Sequence, residues 1–213
     1  YSYYMIRKDN KEKILDKERA AALQAQEQKK EPENVFTYFQ VDTLEIEIGY
    51  NLISLTDEKQ GGDLLQRLAA VRRQCAGEMG IYVRPIRIRD NLQLNPNAYS
   101  FKLRGAEIAS GELMPGHYLA MDPLGQDLQV KGIATTEPTF GLPAWWVSPE
   151  DRDRVELTGF TVVDCSTVLV THITEVIKRY AHELLGRQEV KELIDVVKER
   201  NPVVVDEMLP DLL

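Results

Sequence analysis

Two histidines and a glutamate on one predicted helix are the residues of this chain whose types best suit metal or acid–base chemistry. His172 and Glu175 lie three positions apart, and His182 follows His172 by ten positions. Glutamate–histidine pairs with this spacing bind metals in helix bundles, although such sites also need carboxylates from neighbouring helices. Ten residues of helix turn by about 1000°, which leaves the two imidazole rings roughly 80° apart around the axis. The spacing favours histidines on a helix surface, and a hydrolase or metal enzyme built on these three side chains is the alternative.

The other patterns associated with catalysis lack the context that they require. Ser166 stands between Asp164 and His172, as in a hydrolytic triad, but no Gly-x-Ser-x-Gly elbow surrounds it. Ser166 is better explained as the N-cap of the helix that follows. No phosphate-binding or dinucleotide-binding glycine motif occurs in the chain. Cys75 and Cys165 lack the spacing of a metal or redox site and are predicted to be buried thiols. We therefore predict no enzyme activity, no metal and no cofactor.

A third group of residues indicates binding rather than catalysis. The segment with both tryptophans sets Glu137 and Phe140 among residues that break regular structure. Pro138 forces Glu137 into an extended conformation, while Gly141 and Pro143 prevent a helix or a long strand from absorbing Phe140. The short apolar strand predicted next would anchor this loop. Such a loop could dock another protein, or Phe140 could fold into the core as a plug, and the residue types leave both readings open.

The net charge argues against nucleic acid as a partner. The 213 residues carry 26 basic and 34 acidic side chains, for a formal charge of −8 and a pI of 5.0. An acidic body suits basic or amphipathic protein partners and disfavours an anionic membrane surface. Arg84, Arg87 and Arg89 share one face of a predicted strand without an aromatic ladder, which predicts a solvated or subunit-contacting face. No apolar run reaches the roughly 18–20 residues that a bilayer-spanning helix needs.

The elements that must position these residues begin with a strand, a helix and a second strand. Alternating apolar residues predict strands at 41–48 and 81–89. Between them Asp63 is the expected N-cap of a helix that runs to Met79 and is closed by Gly80. Further strands are predicted at 98–104, 107–113, 117–121, 144–147 and 160–163. This order favours a mixed α/β (α+β) fold built from several small subdomains.

Helices dominate the rest of the prediction. Ser148 as N-cap and Pro149 at the first helical position are expected to open a helix that ends near Gly159. Three more helices are predicted, at 166–185, at 187–199 and after Asn201. Residues 9–33 combine high helix propensity with a thin apolar stripe, which predicts a flexible tether.

Several short segments occur in the same order as in one protein family, and together they are far more specific than any of them alone. They are 35–39, 47–53, 61–65, 88–94, 137–142, 171–177 and 183–189. Over residues 35–213 the chain resembles the cytoplasmic domain of the FlhA-type export gate proteins of bacterial flagellar type III secretion, the FHIPEP family. The first residues, Tyr1 to Lys8, are also typical of the cytoplasmic edge of a transmembrane helix.

The resemblance implies a division into subdomains that follow a flexible linker. The linker would be 1–34, the first α/β subdomain 35–115 with 165–185, an inserted ferredoxin-like α+β subdomain 116–164, and the start of a helical third subdomain 186–213. A fourth subdomain would be absent.

The resemblance also implies a function and a site. Family members are docking platforms that receive export chaperone–substrate complexes and pass the substrates to the membrane channel. Docking takes place in a dimple formed by an acid and a phenylalanine of one loop and a threonine of a distant helix. These positions are Glu137, Phe140 and Thr171, with Pro138 and Gly141 shaping the loop. The family often has aspartate at the first position, so Glu137 keeps the charge on a longer arm.

The implied partners extend to other parts of the export apparatus. They are the export switch protein, the ATPase complex with its stalk, and copies of the same chain in a nonameric ring. The longer protein would lie at the cytoplasmic face of the bacterial inner membrane, held there by an N-terminal transmembrane region absent from this chain. The chain itself would be soluble. The alternative within the same fold is the injectisome counterpart, which serves virulence-associated secretion.

Overall fold

Two four-stranded sheets and the helices packed around them make up the part of the chain that the structure describes. This computed structural model describes residues 42–122 and 131–208. The strands are β1 Leu44–Ile48, β2 Arg87–Asp90, β3 Ala98–Leu103, β4 Ala106–Glu112, β5 Tyr118–Met121, β6 Ile133–Thr136, β7 Pro143–Val147 and β8 Thr161–Val163. The α-helices are α1 Leu64–Met79, α2 Arg152–Leu157, α3 Cys165–Arg179, α4 Ala181–Leu184, α5 Arg187–Arg200 and α6 Pro202–Met208. The predicted linker, the start of the body near Val35 and the last five residues lie outside the described residues.

The first sheet has the strand order β2-β1-β3-β4 and forms the floor of the larger core. Strand β1 runs parallel to β2 and antiparallel to β3, with Ile46 opposite Phe101. Its alternating sequence places Leu44, Ile46 and Ile48 in the interior, as period-two patterning requires. Helices α1 and α3 contribute to the same buried cluster, for example through Leu68 and Ile173. The mixed α/β fold predicted from the sequence is confirmed.

An arginine joins the beginnings of the two helices that cover this sheet. Nε of Arg67 on α1 lies 2.6 Å from a carboxylate oxygen of Asp63, and its terminal nitrogens donate to Asp164 at 3.1 Å and to Thr167 at 2.8 Å. The Asp63 carboxylate therefore pairs with Arg67 and makes no capping hydrogen bond. Asp63 is the N-cap residue as predicted, but it lacks the side-chain capping bond for this reason, and the helix and its closure by left-handed Gly80 are confirmed.

The second sheet has the order β6-β7-β5-β8 and carries the segment with both tryptophans. Strand β7 lies between β6 and β5 and is antiparallel to both. Helix α2 precedes the edge strand β8, and Phe160 between them packs edge-on against Trp145 at 6.0 Å. Strand β6 was missing from the sequence prediction because its residues show no apolar alternation.

Two predicted elements begin later in the structure than the sequence indicates. The strand predicted at 81–89 pairs only over Arg87–Asp90, since Pro85 has no N–H to donate to a ladder. The helix predicted from Ser148 begins at Arg152. The Ser148 hydroxyl instead accepts the N–H of Asp151 at 3.3 Å and closes the turn before the helix.

The helix that carries the histidines also differs at both ends from its prediction. Its N-cap is Asp164, whose carboxylate accepts the N–H of Thr167 at 2.6 Å, and not Ser166, which is buried inside the first turn. The predicted 166–185 helix is broken at Tyr180 into α3 and α4. Cys75 and Cys165 are free and buried, as predicted.

Candidate protein-docking site

The loop between β6 and β7 is a closed hairpin connection that spans Glu137 to Leu142. Thr136 pairs with Pro143 at its base. Inside the loop the N–H of Glu137 donates to the carbonyl of Leu142 at 2.8 Å, and the N–H of Gly141 donates to the carbonyl of Glu137 at 3.0 Å. Gly141 has φ of +72°, a left-handed backbone conformation that residues other than glycine rarely adopt. The backbone breakers seen in the sequence thus define one specific turn.

The Glu137 carboxylate closes this turn from the inside. One oxygen accepts the N–H of Thr139 at 2.9 Å and the other accepts the N–H of Phe140 at 2.7 Å. The residue is only 3% exposed. Sequence reasoning identified Glu137 as a site residue but missed this inward role. The available signal was the position of this acidic side chain in a turn, two residues before Thr139 and three before Phe140. Asp, Asn, Ser and Thr side chains often accept backbone N–H groups at such spacings.

Phe140 points out of the loop and into solvent. Its side chain is 63% exposed, and the neighbouring Leu142 is 46% exposed. The reading in which Phe140 plugs the core is therefore wrong. The base of the loop is instead buried through Ala144 and Trp146 on β7, so the predicted anchoring strand is confirmed. The result is an exposed aromatic ring on a loop with a buried base.

Helix α3 carries Thr171 and His172. Thr171 is half-buried and His172 is buried. Burial lowers the pKa of His172, and the negative charge of Glu137 opposes that shift. Burial likewise raises the pKa of Tyr99 on β3, with the Glu137 charge adding to the effect. The charge of the Glu137 carboxylate therefore acts on His172 and on Tyr99.

The three residues of the metal-enzyme alternative take part in separate interactions. Nδ1 of His172 is hydrogen-bonded to the Tyr99 hydroxyl. Glu175 forms an ion pair with Lys178 at 2.6 Å, and the exposed His182 lies 3.6 Å from Glu183. Across residues 42–122 and 131–208, no three histidine, cysteine or acidic side chains are grouped so that they could hold a metal ion. The sequence feature that opened the metal hypothesis is therefore not assembled into one site.

The arginines singled out in the sequence are engaged in ion pairs. Arg87 and Arg89 both contact Asp42, at 3.5 and 3.1 Å, across the edge of the first sheet. Arg84 lies before the strand and contacts Glu189 and Glu192, each at 3.5 Å. In the described part of the chain, none of the helices has the length and apolar character that crossing a membrane requires.

Solved structures share this two-sheet arrangement. The Chlamydia pneumoniae CdsV protein matches with a TM-score of 0.67 and 20% identity, over 79% of this chain and 51% of that one. The nonameric EscV cytosolic domain from the type III secretion system matches with a TM-score of 0.52 and 18% identity, over 81% of this chain and 49% of that one. The chain therefore shares the fold of these two proteins.

The sequence comparisons identify the family. The chain belongs to the FHIPEP family, whose model matches residues 1–213. It is 47% identical over 218 residues to the flagellar biosynthesis protein FlhA of Bacillus subtilis (strain 168), covering all of this chain and 32% of that protein. The FlhA protein of Borreliella burgdorferi is 44% identical over 169 residues, 79% of this chain and 24% of that protein. The resemblance recognised in the sequence is thereby confirmed, and the chain spans a third or less of these relatives.

Proposed function

We propose that this chain is the cytoplasmic docking portion of a bacterial flagellar type III export gate. It receives export chaperone–substrate complexes on a surface made by the loop of Glu137, Pro138, Phe140 and Gly141 together with Thr171 on α3. Substrates then pass to the membrane channel of the longer protein. The chain acts by binding, and no chemical step is assigned to it.

The observation that carries this proposal is the exposure of Phe140 on a closed loop. Aromatic residues dominate binding energy at protein interfaces because they bury a large area at a small entropic cost. Phe140 needs little ordering on binding, since the hydrogen bond from its N–H to the Glu137 carboxylate and the left-handed turn at Gly141 already define its backbone. Pre-organisation of this kind lowers the entropic cost of association.

The charge of the chain indicates the kind of surface that would dock there. The net charge of −8 favours a basic or amphipathic segment of the incoming complex. Both oxygens of Glu137 already accept hydrogen bonds from the loop, so its charge contributes to attraction while Phe140 supplies the contact. Thr171 offers a hydroxyl on the adjacent helix for orientation.

The test is the affinity of this chain for a flagellar chaperone–substrate complex. Phe140→Ala should weaken binding at least about fivefold, which corresponds to about 1 kcal/mol for an interface aromatic. Leu157→Ala on α2 is the matched control, because Leu157 is another large apolar side chain and is 88% exposed. Titration calorimetry should show the loss for Phe140→Ala alone, with superimposable melting curves. Equal affinities for Phe140→Ala and the parent protein would refute the docking role.

The injectisome counterpart is the second candidate, and the solved structures of type III secretion proteins support it through their fold. The flagellar assignment is favoured because identity reaches 47% with a flagellar protein and 20% or less with those two structures. A pull-down with flagellar and with injectisome chaperone–substrate pairs separates the two. Capture of injectisome pairs alone would reverse the assignment.

The longer protein would work within an assembly at the inner membrane. Solved relatives include a complex of CdsV and CdsO and nonameric cytosolic domains. For this chain we propose a nonameric ring beneath the channel, a transmembrane region in the longer protein, and contacts with the export switch protein and the ATPase complex with its stalk. The subdomain division at 35–115 with 165–185, 116–164 and 186–213 belongs to the same proposal.

A further inference from the structure

The two sheets end in four edge strands, and these edges differ in how well they are protected against pairing with another chain. An edge strand presents backbone N–H and C=O groups to a further strand, so proteins usually place charged side chains, bulges or very short strands there. Strand β2 is charged at three of its four residues, β4 carries two glutamates and a register shift against β3, and β8 has only three residues. Strand β6 has four uncharged residues in regular register with β7. Among the described edges of four residues or more, β6 lacks both charge and bulge.

The directions of the backbone groups of β6 follow from one bond at the start of the loop. The N–H of Glu137 donates to the carbonyl of Leu142 at 2.8 Å, so these residues form a hydrogen-bonded pair directly beyond the ladder. Hydrogen-bonded and non-hydrogen-bonded pairs alternate along antiparallel strands. The N–H and C=O groups of Ala134 and Thr136 therefore point away from β7, and those of the other two residues of β6 point toward it. Pro143 lies opposite Thr136, where the ladder requires no N–H from the partner strand.

The outward side of β6 is open within residues 42–122 and 131–208. No backbone bond outside the ladder reaches Ala134 or Thr136 in this part of the chain. Both residues are exposed, and Ile133 beside them is 53% exposed. The strand leads directly into the loop that presents Phe140, which is 63% exposed. A free set of strand-pairing groups therefore adjoins the exposed aromatic ring.

We propose that the edge of β6 binds an extended segment of the incoming chaperone–substrate complex, which adds a fifth strand to the four of the second sheet. The proposal rests on the proposed docking function and names how part of the complex is held. In strand addition, main-chain hydrogen bonds provide affinity and neighbouring side-chain contacts provide specificity. Ala134 and Thr136 offer the main-chain groups, and Phe140 offers the side-chain contact. The net charge of −8 favours a segment that carries basic residues.

Residue-resolved hydrogen exchange of the unaltered chain tests strand addition. In the free chain, the amides of Ala134 and Thr136 should exchange at least about tenfold faster than those of Ile133 and Thr135, which are bonded in the ladder. A bound flagellar chaperone–substrate complex should slow the two outward amides at least about tenfold. Unchanged exchange at both outward amides in the bound state would overturn the proposal. Slowing that appears as the concentration of the free chain rises would indicate pairing between two copies, and it would overturn the proposal as well.

A proline substitution tests the contribution of one outward group to affinity. Ala134→Pro removes an N–H that faces away from β7, a position at which an edge strand tolerates proline. Ala134→Val is the matched control, because valine keeps the N–H and favours a strand. Ala134→Pro should weaken binding of the flagellar chaperone–substrate complex about fivefold or more, as expected for one lost hydrogen bond. Ala134→Val should bind with parental affinity.

The outcomes separate the edge from the docking function on which it rests. Parental affinity for a folded Ala134→Pro chain, together with weaker binding by Phe140→Ala, would overturn strand addition and leave the docking function standing. Failure of the complex to bind the unaltered chain would refute the docking function and strand addition together. If Ala134→Pro does not fold, the exchange rates of the unaltered chain decide the question.

Discussion

Replacement of Glu137 by alanine is the perturbation that most directly tests how the loop is built. The carboxylate is 3% exposed and accepts two backbone N–H groups, at 2.9 and 2.7 Å. Hydrogen bonds to a charged group contribute about 1.5–3 kcal/mol each, and the recovered solvation of a buried carboxylate offsets part of their sum. We therefore expect Glu137→Ala to lower the free energy of unfolding by about 2–4 kcal/mol.

The assay is urea unfolding followed by tryptophan fluorescence. Trp145 and Trp146 both lie on the strand that leaves the loop, so they report on this part of the fold. Glu175→Ala is the matched control, because its partner Lys178 is one turn away on the helix surface and an exposed pair of this kind contributes little. Glu137→Gln keeps one acceptor oxygen and should fall between the parent and Glu137→Ala. The same stability for Glu137→Ala and Glu175→Ala would refute the reasoning.

Two further predictions concern the packing of Gly111 and the charge of the buried Glu189. Gly111→Ala should destabilise the fold by about 1–3 kcal/mol, since its Cβ would meet the Tyr99 hydroxyl at 2.6 Å. Gly77→Ala is the control and should not destabilise the fold, because a Cβ there meets nothing within 4 Å. Equal melting temperatures for the two variants would contradict this. Burial raises the pKa of Glu189, but the N–H groups of Glu189 and Gly186 and further partners bring it below 4.5. The stability that the ionised form contributes is therefore present above pH 4.5 and lost as the pH falls through the folded-state pKa. Urea unfolding across this range should show a smaller acid loss for Glu189→Gln, and parallel curves for the two proteins would contradict it.

Elements defined by local chemistry could be predicted from the sequence. Helix α1 has a buried stripe that includes Leu68 and Val71 and a left-handed glycine at its end, and both features depend on neighbours within a few residues. Strand β1 likewise alternates between buried and half-buried residues. Such patterns can be read from the sequence because the apolar residues need only be buried in the core, whichever residues they meet there.

Choices between competing polar partners could not be predicted in this way. Asp63 is a good N-cap by type, yet Arg67 takes its carboxylate, and Asp164 caps α3 in place of Ser166. Arg67 itself reaches Asp164 from a helix almost a hundred residues earlier. The Arg67–Asp164 contact exists only after the two helices pack, whereas the Asp63–Arg67 and Asp164–Thr167 bonds are local. Residue type alone does not choose among such competing partners.

The same limitation applied to the loop from Glu137 to Leu142, with a different consequence. Backbone breakers identified the loop around Glu137 and Phe140, but they left the directions of both side chains open. In the structure the acid points inward and the aromatic ring points outward. An acidic residue at a binding surface is readily taken for a direct contact with the partner, whereas here it accepts the hydrogen bonds that shape the backbone.

This division of roles has a consequence for how substitutions in the loop combine. If Glu137 acts by holding Phe140 in place, then loss of its carboxylate and loss of the ring remove the same binding interaction. Their effects on affinity should then fall well short of additive, as expected for residues that contact one another. A carboxylate that instead bonded to the partner directly would give losses that sum. The orientation of Glu137 toward the Thr139 and Phe140 N–H groups favours the first outcome, and the shorter arm of Glu137→Asp should preserve binding only as far as it still reaches both of them.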